Sequence, residues 1–353
     1  MALIRPLERE DLEQVTRMVA TGLPGWSRDT TVLTRNLIDH PWTERPPRAL
    51  VAVGGNGAVI GSLGAQTRRI CFDGRKLKAV CVSHLVVDPA HRGGAAGALL
   101  VRALLAGEQD FTFTDSGTPE VVRIWRMFGA HLDHTRCSDW TLVLRPGRWL
   151  GTIAASAWSR RRVTLDLLPG AAVPVHAAGR QLFSRAFPAP ESEIFGEDVS
   201  VARLSAALPS LQDGIRLRVD YDGESLEWVF DYLAQLTGSE AVVRRLVHRG
   251  ARPIGWYAYL HRPKLSRVLA IGASAREAAA VLGELVEDAR HRGTAALTGR
   301  FEPHLHEALR ERYPALGLAQ RPLVHARDPE LLATLGSSAA LLTEMDLIDT
   351  ESW

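Results

Sequence analysis

The sequence predicts an α+β protein of two tandem domains, each with a mixed, mostly antiparallel central sheet flanked by helices. Three observations carry this reading. An apolar, β-branched run from Val80 to Val87 leads through the glycine-rich turn Ala90–Gly97 straight into a helical pattern. Two hairpin signals precede that run, so its strand arrives from an antiparallel meander. From residue 195 onward the order of elements repeats that of residues 1–147. A chain of 353 residues is long enough for two such domains.

Taken in order, Ala2–Pro6 reads as a short strand. Leu12, Val15, Met18 and Val19 recur at helical spacing within Glu8–Leu23. A second helix falls in Trp26–His40, before Pro41 and the Arg45-Pro46-Pro47 turn. Ala49–Val53 is strand-like, Gly54-Gly55-Asn56-Gly57 is a hairpin turn, and Val59–Thr67 returns. A second hairpin has Arg69–Phe72 and Leu77–Val87 as its arms and Asp73-Gly74 as its turn. The following helix carries Leu99, Leu100, Ala103 and Leu104 on one face. Asp110–Thr114 is a strand. Pro119–Phe128 is a helix that Gly129 ends as a C-cap would, and Trp140–Leu144 is a last strand.

Residues 148–194 are less regular, with Arg160-Arg161-Arg162, Pro169-Gly170 and one helix near Ala177–Arg185. They read as a connector between a domain at 1–147 and another at 195–353. The second domain has a helix at Trp228–Leu236, a hairpin of Ala241–Val247 with Ile254–Leu260, and a strand at Val268–Gly272. A helix at Arg276–Arg290 buries Ala279, Leu282, Leu285, Val286 and Ala289. A strand at Ala295–Thr298 and a helix at Leu305–Arg312 follow. Where the first domain has its glycine turn, this one has Ala273-Ser274-Ala275-Arg276-Glu277. The fold is duplicated and only the first copy keeps the turn.

Composition narrows the function. A net charge of +2 gives no basis for a nucleic-acid partner. No apolar run is long enough to span a bilayer, and MALIRPLERED has acidic residues where a secretory signal needs an apolar core. The expectation is a cytoplasmic protein with no membrane partner. Cys71, Cys81 and Cys137 are far apart and odd in number, so they fit neither a disulfide framework nor a zinc site, and no metal is expected.

Strand, glycine turn and helix together aim free backbone N–H groups and the positive end of a helix dipole at one point, which suits a phosphate. A P-loop is excluded because Ala98-Leu99, not lysine and a hydroxyl residue, follows Gly97. A dinucleotide fold is excluded by the antiparallel strands ahead of the turn. The stretch Arg92-Gly93-Gly94-Ala95-Ala96-Gly97, after Val-Val-Asp-Pro, resembles the pyrophosphate loop of the GCN5-related N-acetyltransferases, whose pattern is Gln/Arg-x-x-Gly-x-Gly/Ala. Ala95 stands for the first glycine. Alanine is small, so weakened rather than lost cofactor binding is expected. The opening Ile4-Arg5-Pro6-Leu7 with Asp11-Leu12, the hairpin at Gly57 and the segment Ile124–Ala130 are similar to that family's flanking pieces. The resemblance spans roughly residues 1–145.

The resemblance implies an N-acetyltransferase: acetyl-CoA, or a longer acyl-CoA, gives its acyl group to the amine of a small molecule. Leu85, Val86 and Val87 would meet the pantetheine arm, with a backbone N–H there stabilising the oxyanion. Arg92, Gly93, Gly94, Ala95, Ala96, Gly97 and Ala98 would hold the pyrophosphate. His84 stands where the family often has a glutamate, so it is the candidate general base; the competing reading is a histidine packed in the meander. Ser83, Asp115 and Ser116 are candidates for lining the acceptor cleft. The family's general acid, a tyrosine four residues before the helix-ending glycine, is replaced by Trp125, which cannot give up a proton usefully. Some tandem relatives use a C-terminal carboxylate, here that of Trp353, with nothing local to support it. In the second half Trp228, Trp256, Tyr257, Tyr259, Arg300 and His304 line a cleft or, more simply, are core aromatics and surface polar groups.

Two rival functions stand beside this one. Trp125 and Ala95 motivate a non-catalytic acyl-CoA sensor. Related tandem folds motivate an aminoacyl-tRNA-dependent transferase, which the near-neutral charge opposes. The sequence leaves a homodimer open.

Overall fold

The computed structural model describes residues 2–23, 29–42, 49–115, 117–149, 193–312, 314–318 and 321–347. The chain runs β1 (Leu3–Pro6), α1 (Leu12–Gly22), α2 (Thr30–Leu37), β2 (Leu50–Val53), β3 (Val59–Phe72), β4 (Arg75–Val87), α3 (Ala96–Leu105), β5 (Phe111–Thr114), α4 (Pro119–Met127), β6 (His131–Leu132) and β7 (Ser138–Val143). It continues through β8 (Ile194–Asp198), α5 (Val201–Leu211), β9 (Leu217–Val219), α6 (Gly223–Thr237), β10 (Val242–Arg249), β11 (Arg252–Leu260), β12 (Leu265–Ala273) and α7 (Ala278–His291). It ends with β13 (Ala296–Arg300), α8 (His306–Arg310), β14 (Ala315–Leu318), β15 (Leu323–Ala326), α9 (Pro329–Leu335) and β16 (Ala340–Leu341). The connector helix expected near Ala177–Arg185 and the Arg160–Arg162 run lie outside the described residues.

Two sheets form, in two compact units. The first has the order β1-β2-β3-β4-β5-β15-β6, with β9 on the far end of β3 and β16 on β9. The second has the order β14-β7-β13-β12-β11-β10-β8. Each is antiparallel through its meander and has a parallel pair where a helix crosses over: β4–α3–β5 in one, β12–α7–β13 in the other. The fold is α+β and the arrangement recurs. Neither unit is one continuous stretch. The first takes residues 1–137, 214–232 and 319–353, the second 138–213 and 233–318. So β7, which sequence order places last in the first domain, pairs with β13 and β14, while β15 pairs with β5 and β6.

The turn chemistry explains the first meander. Gly57 has φ +81, and the N–H of Gly54 donates to the carbonyl of Ala58 at 2.8 Å. Asp73 and Gly74 both have positive φ, 49 and 77, the two-residue turn that matches strand twist. β3 is one strand rather than two. The polar run that suggested a break stays in the ladder because its inward side chains find partners inside. The buried Arg68 donates to Gln66 Oε1 at 2.6 Å, reaches the His40 ring, and lies 5.3 Å from the centre of the Trp42 ring. Burial, and then the charge of Arg68, push the His40 imidazole down to about 2, so it stays neutral.

Helices cover both faces of the first sheet. α3 buries Leu100, Val101, Leu104 and Leu105 against Ala65, Val80 and Val82. Its face is turned from the expected one: Ala103 is exposed and Val101 is inside. Burial of each such aliphatic side chain stabilises by about 1.5–3 kcal/mol. α4 ends as its sequence predicts: Gly129 has φ +83, and the N–H groups of Gly129 and Ala130 reach back to the carbonyls of Arg126 and Trp125 at 3.2 Å. In α7 the inner face holds Ala278 rather than Ala279, with Leu282, Leu285, Val286 and Ala289 as expected.

β1 is tied to the turn before α1. Arg5 donates to both oxygens of the largely buried Asp11, at 2.6 and 2.7 Å. This bidentate bond, ahead of the burial that opposes it, holds the Asp11 carboxyl below its ordinary range. A depressed folded-state value means the stabilisation is present above the unfolded value and is lost as pH falls through the folded one. Asp11→Asn is therefore expected to lower the melting temperature at neutral pH. The gap to the parent protein should close as pH falls below about 4 in melts across pH.

Candidate functional site

The parallel pairing of β4 with β5 runs from Ala79–Phe111 to Val82–Thr114 and stops there. β4 continues for five more residues, Ser83 to Val87, beside β3 alone. The register on β3 shifts between Ser62 and Gly64, and His84 takes φ +50 at that bulge. A histidine in left-handed backbone is uncommon, and bulges re-aim side chains. Gly64 makes room for this one. A Cβ on Gly64 would lie 2.6 Å from Ser83 Oγ and 3.1 Å from His84 Nδ1.

Past β4, Asp88 accepts from the N–H of Ala90 at 2.8 Å and so shapes the Pro89–His91 turn. Gly93 takes φ +82, and α3 starts with Ala95 at its N-cap position, where no side chain caps it. The first N–H groups of α3 thus point out of the helix without a side-chain acceptor, at the positive end of its dipole. Arg92 Nε donates to the carbonyl of Val87 at 3.4 Å, which keeps its guanidinium by the end of β4.

These pieces enclose a cleft of about 660 Å³. Its lining includes Leu85, Val86, Val87, Arg92, Gly93, Gly94, Gly97 and Ala98, all named from sequence. Ala95 and Ala96 of the same loop are not in the lining, and Ala96 is buried beneath it. Gly22 and Leu23 from the end of α1, and Thr118, Glu120, Val121, Ile124 and Met127 from α4, form the rest of the wall. None of these seven was assigned to the cofactor site from sequence, although Ile124 and Met127 fall in the segment Ile124–Ala130 that is similar to the family's flanking pieces. Glycine matters at one of these places. A Cβ on Gly22 would meet Val86 Cγ1 at 2.7 Å, whereas one on Gly97 would sit in ordinary contact with Val87 and Ile124, 3.6 and 3.8 Å away. The cleft is therefore apolar along its walls, open to an anion at the start of α3, and edged by a strand with spare backbone groups.

The remaining candidates separate. His84, Ser83 and Asp115 are buried, do not line this cleft, and lie at the point where β4 and β5 part. Trp125 is 1% exposed, belongs to the core with Val122, Leu100 and Leu104, and does not line the cleft. Ser116 and Trp353 lie outside the described residues. Trp256, Tyr257 and Tyr259 are core residues of the second unit, and Tyr259 donates to Asp288 at 2.7 Å. Burial above all drives the Tyr257 and Tyr259 hydroxyls well above their ordinary range. Trp228 stacks on Tyr232, with ring centres 5.0 Å apart.

The second copy has filled the corresponding places with its own side chains. At the start of α7, Glu277 is 8% exposed and receives Arg249 at 3.0 Å and Arg252 at 2.6 Å. The pairing of β12 with β13 ends at Val268–Gly299. Beyond that end the carbonyl of Ile271 faces His304 Nε2 at 3.0 Å, so that nitrogen carries the hydrogen and donates. Arg300 and His304 are buried there, not surface groups. Among the described residues there is no cluster of metal-ligating side chains, and no helix is long and apolar enough to cross a membrane.

No protein-family model matches the sequence, and no curated protein sequence matches it. Solved structures do. A GCN5-related N-acetyltransferase from Anabaena variabilis aligns over 93% of this chain and 74% of its own, with a TM-score of 0.59 at 10% identity. One from Kribbella flavida aligns over 93% and 72%, with a TM-score of 0.59 at 13% identity. Eis1 from Mycobacterium abscessus aligns over 95% and 76%, with a TM-score of 0.55 at 18% identity. The likeness is one of fold: the chain has the GCN5-related N-acetyltransferase fold along nearly its whole length.

Proposed function

We propose that this protein is an acyl-CoA-dependent N-acyltransferase, with acetyl-CoA as the donor and the amine of a small molecule as the acceptor. The observation that carries the reading is the uncapped start of α3 at one end of an apolar cleft, beside a strand that has left its neighbour. An acyl-CoA has a matching order of parts: an anionic pyrophosphate, then a long neutral arm with amide groups, then a thioester. Arg92 and the N–H groups from Gly93 to Ala98 would hold the pyrophosphate. Leu85, Val86 and Val87 would align the arm and present a backbone N–H to the thioester oxygen as negative charge develops there. The fold shared with N-acetyltransferases of known structure supports the same assignment.

His84 is the proposed base that removes a proton from the incoming ammonium. It stands at the bulge immediately before Leu85, the first residue of β4 that lines the cleft, and so would be near the thioester if the arm follows that strand. With Trp125 in the core, no group at that position donates a proton to the departing sulfur. His84→Ala is expected to lower turnover by about 100-fold while changing acetyl-CoA affinity by less than about threefold. Thiol release with an amine panel, read beside calorimetric titration, checks both numbers. Unchanged turnover in His84→Ala would remove the base assignment. Acetyl-CoA binding with no thiol release from the parent protein would favour a non-catalytic acyl-CoA sensor over a transferase.

A further inference from the structure

We propose that the cleft reads the nucleotide end of its donor. Met127, at the outer rim on α4, is the platform on which the adenine lies. It makes the protein select an acyl group carried on coenzyme A over one carried on phosphopantetheine alone. This rests on the acyl-CoA reading of the cleft.

The placement starts from α4. Glu120, Ile124 and Met127 fall on one stripe of this helix, and all three line the cleft. Ile124 marks where the stripe passes the start of α3, since its Cδ1 lies 3.8 Å from the position of a Cβ on Gly97. That is the level of the pyrophosphate. From there the arm runs inward along β4, where Val86 is 4% exposed. The nucleoside is on the other side of the pyrophosphate, so it stays at the surface. Met127 comes one turn after Ile124 and is 67% exposed, which puts it at that surface. A thioether side chain is flexible and polarizable, and its apolar surface suits the face of a purine.

Charge distinguishes the two ends of the stripe. At the first turn of α4 the backbone N–H of Glu120, and then the Thr118 hydroxyl, hold the Glu120 carboxyl below its ordinary range, so this end is anionic. Arg123 pairs with it at 3.3 Å and faces solvent. At the other end Arg126 precedes Met127. Arg102 follows the cleft-lining Ala98 by one turn of α3, and both arginines are exposed. Coenzyme A carries a further phosphate on its ribose. The end with two arginines attracts that phosphate, and the end with Glu120 repels it. Charge and apolar contact therefore send the nucleoside the same way. A phosphopantetheine thioester, free or held on a carrier protein, has the same arm and thioester. It has no purine for Met127 and no ribose phosphate for the arginines.

The test is a calorimetric titration of the parent protein, Met127→Ala and Met127→Leu with two donors, acetyl-CoA and acetyl-phosphopantetheine. The parent is expected to bind acetyl-CoA about tenfold more tightly or better. Met127→Ala should weaken acetyl-CoA by about fivefold and change acetyl-phosphopantetheine by less than about twofold, and Met127→Leu should recover most of the loss. Because Met127 is exposed, thermal melts of the variants should match the parent, so that lost affinity is not read as lost fold. Equal weakening of both donors in Met127→Ala, or unchanged acetyl-CoA affinity, overturns the proposal and leaves the acyl-CoA reading standing. Equal affinity of the parent for the two donors does the same. Binding of neither donor to the parent overturns the acyl-CoA reading and this proposal together.

Discussion

Gly97→Asp is expected to cut acetyl-CoA affinity by more than about 100-fold, close to 3 kcal/mol, while the protein keeps its fold. Gly97 is the second residue of α3 and lines the cleft. Its Cβ position is in ordinary contact with Val87 and Ile124, so a side chain enters without displacing backbone. An aspartate in the first turn of a helix is favourable by about 0.3–1 kcal/mol, and replacing glycine in a helix gains a similar amount. The melting temperature should hold or rise slightly. The same carboxylate puts a fixed negative charge where the pyrophosphate would lie. Stability and binding therefore move apart, which simple misfolding would not produce. Gly97→Ala is the control, expected to keep most of the affinity. Calorimetric titration with a thermal melt on each variant provides both readings.

Gly64→Ala is expected to damage stability and turnover together. Its Cβ would lie 2.6 Å from Ser83 Oγ and 3.0 Å from the Ser83 carbonyl oxygen. The hydroxyl can rotate, but the carbonyl belongs to the strand paired with Gly64 and can move only by opening the ladder. Overpacking of this kind costs about 1–3 kcal/mol. The shift falls on the bulge that aims His84, so thiol release should drop by about 100-fold, with a smaller change in acetyl-CoA affinity. Gly61 faces Leu100 and the Val86 carbonyl at 3.3 and 3.4 Å, and Gly61→Ala should be milder on both measures. Equal turnover in Gly64→Ala and the parent would mean that the bulge has no part in the chemistry.

Much of the fold was legible because local chemistry dictates it. Asp73-Gly74 and Gly54–Gly57 gave away the meander through their need for positive φ, and Gly129 marked the end of α4. The cleft was legible for the same reason: a strand, a small-residue turn and a helix are contiguous in sequence, so Leu85 to Ala98 could be read without knowing their neighbours. What was hidden depends on partners distant in sequence. Nothing near Trp140 or Val324 states that their strands pair with β13 and with β5. The polar run at Gln66–Arg69 looked like a break because the groups that satisfy Arg68 include His40, on another segment. A left-handed His84 leaves no mark in composition. Nor could Glu277 be seen to meet Arg249 and Arg252, because the hairpin that brings them to α7 lies before β12.

A calorimetric titration of the full chain with acetyl-CoA is the most direct test. Saturable binding of one molecule per chain is expected, at the cleft of α3, since the start of α7 is already met by Glu277 and the Ile271 carbonyl by His304. No heat of binding at millimolar acetyl-CoA would contradict it outright, and two molecules per chain would contradict the closed second copy.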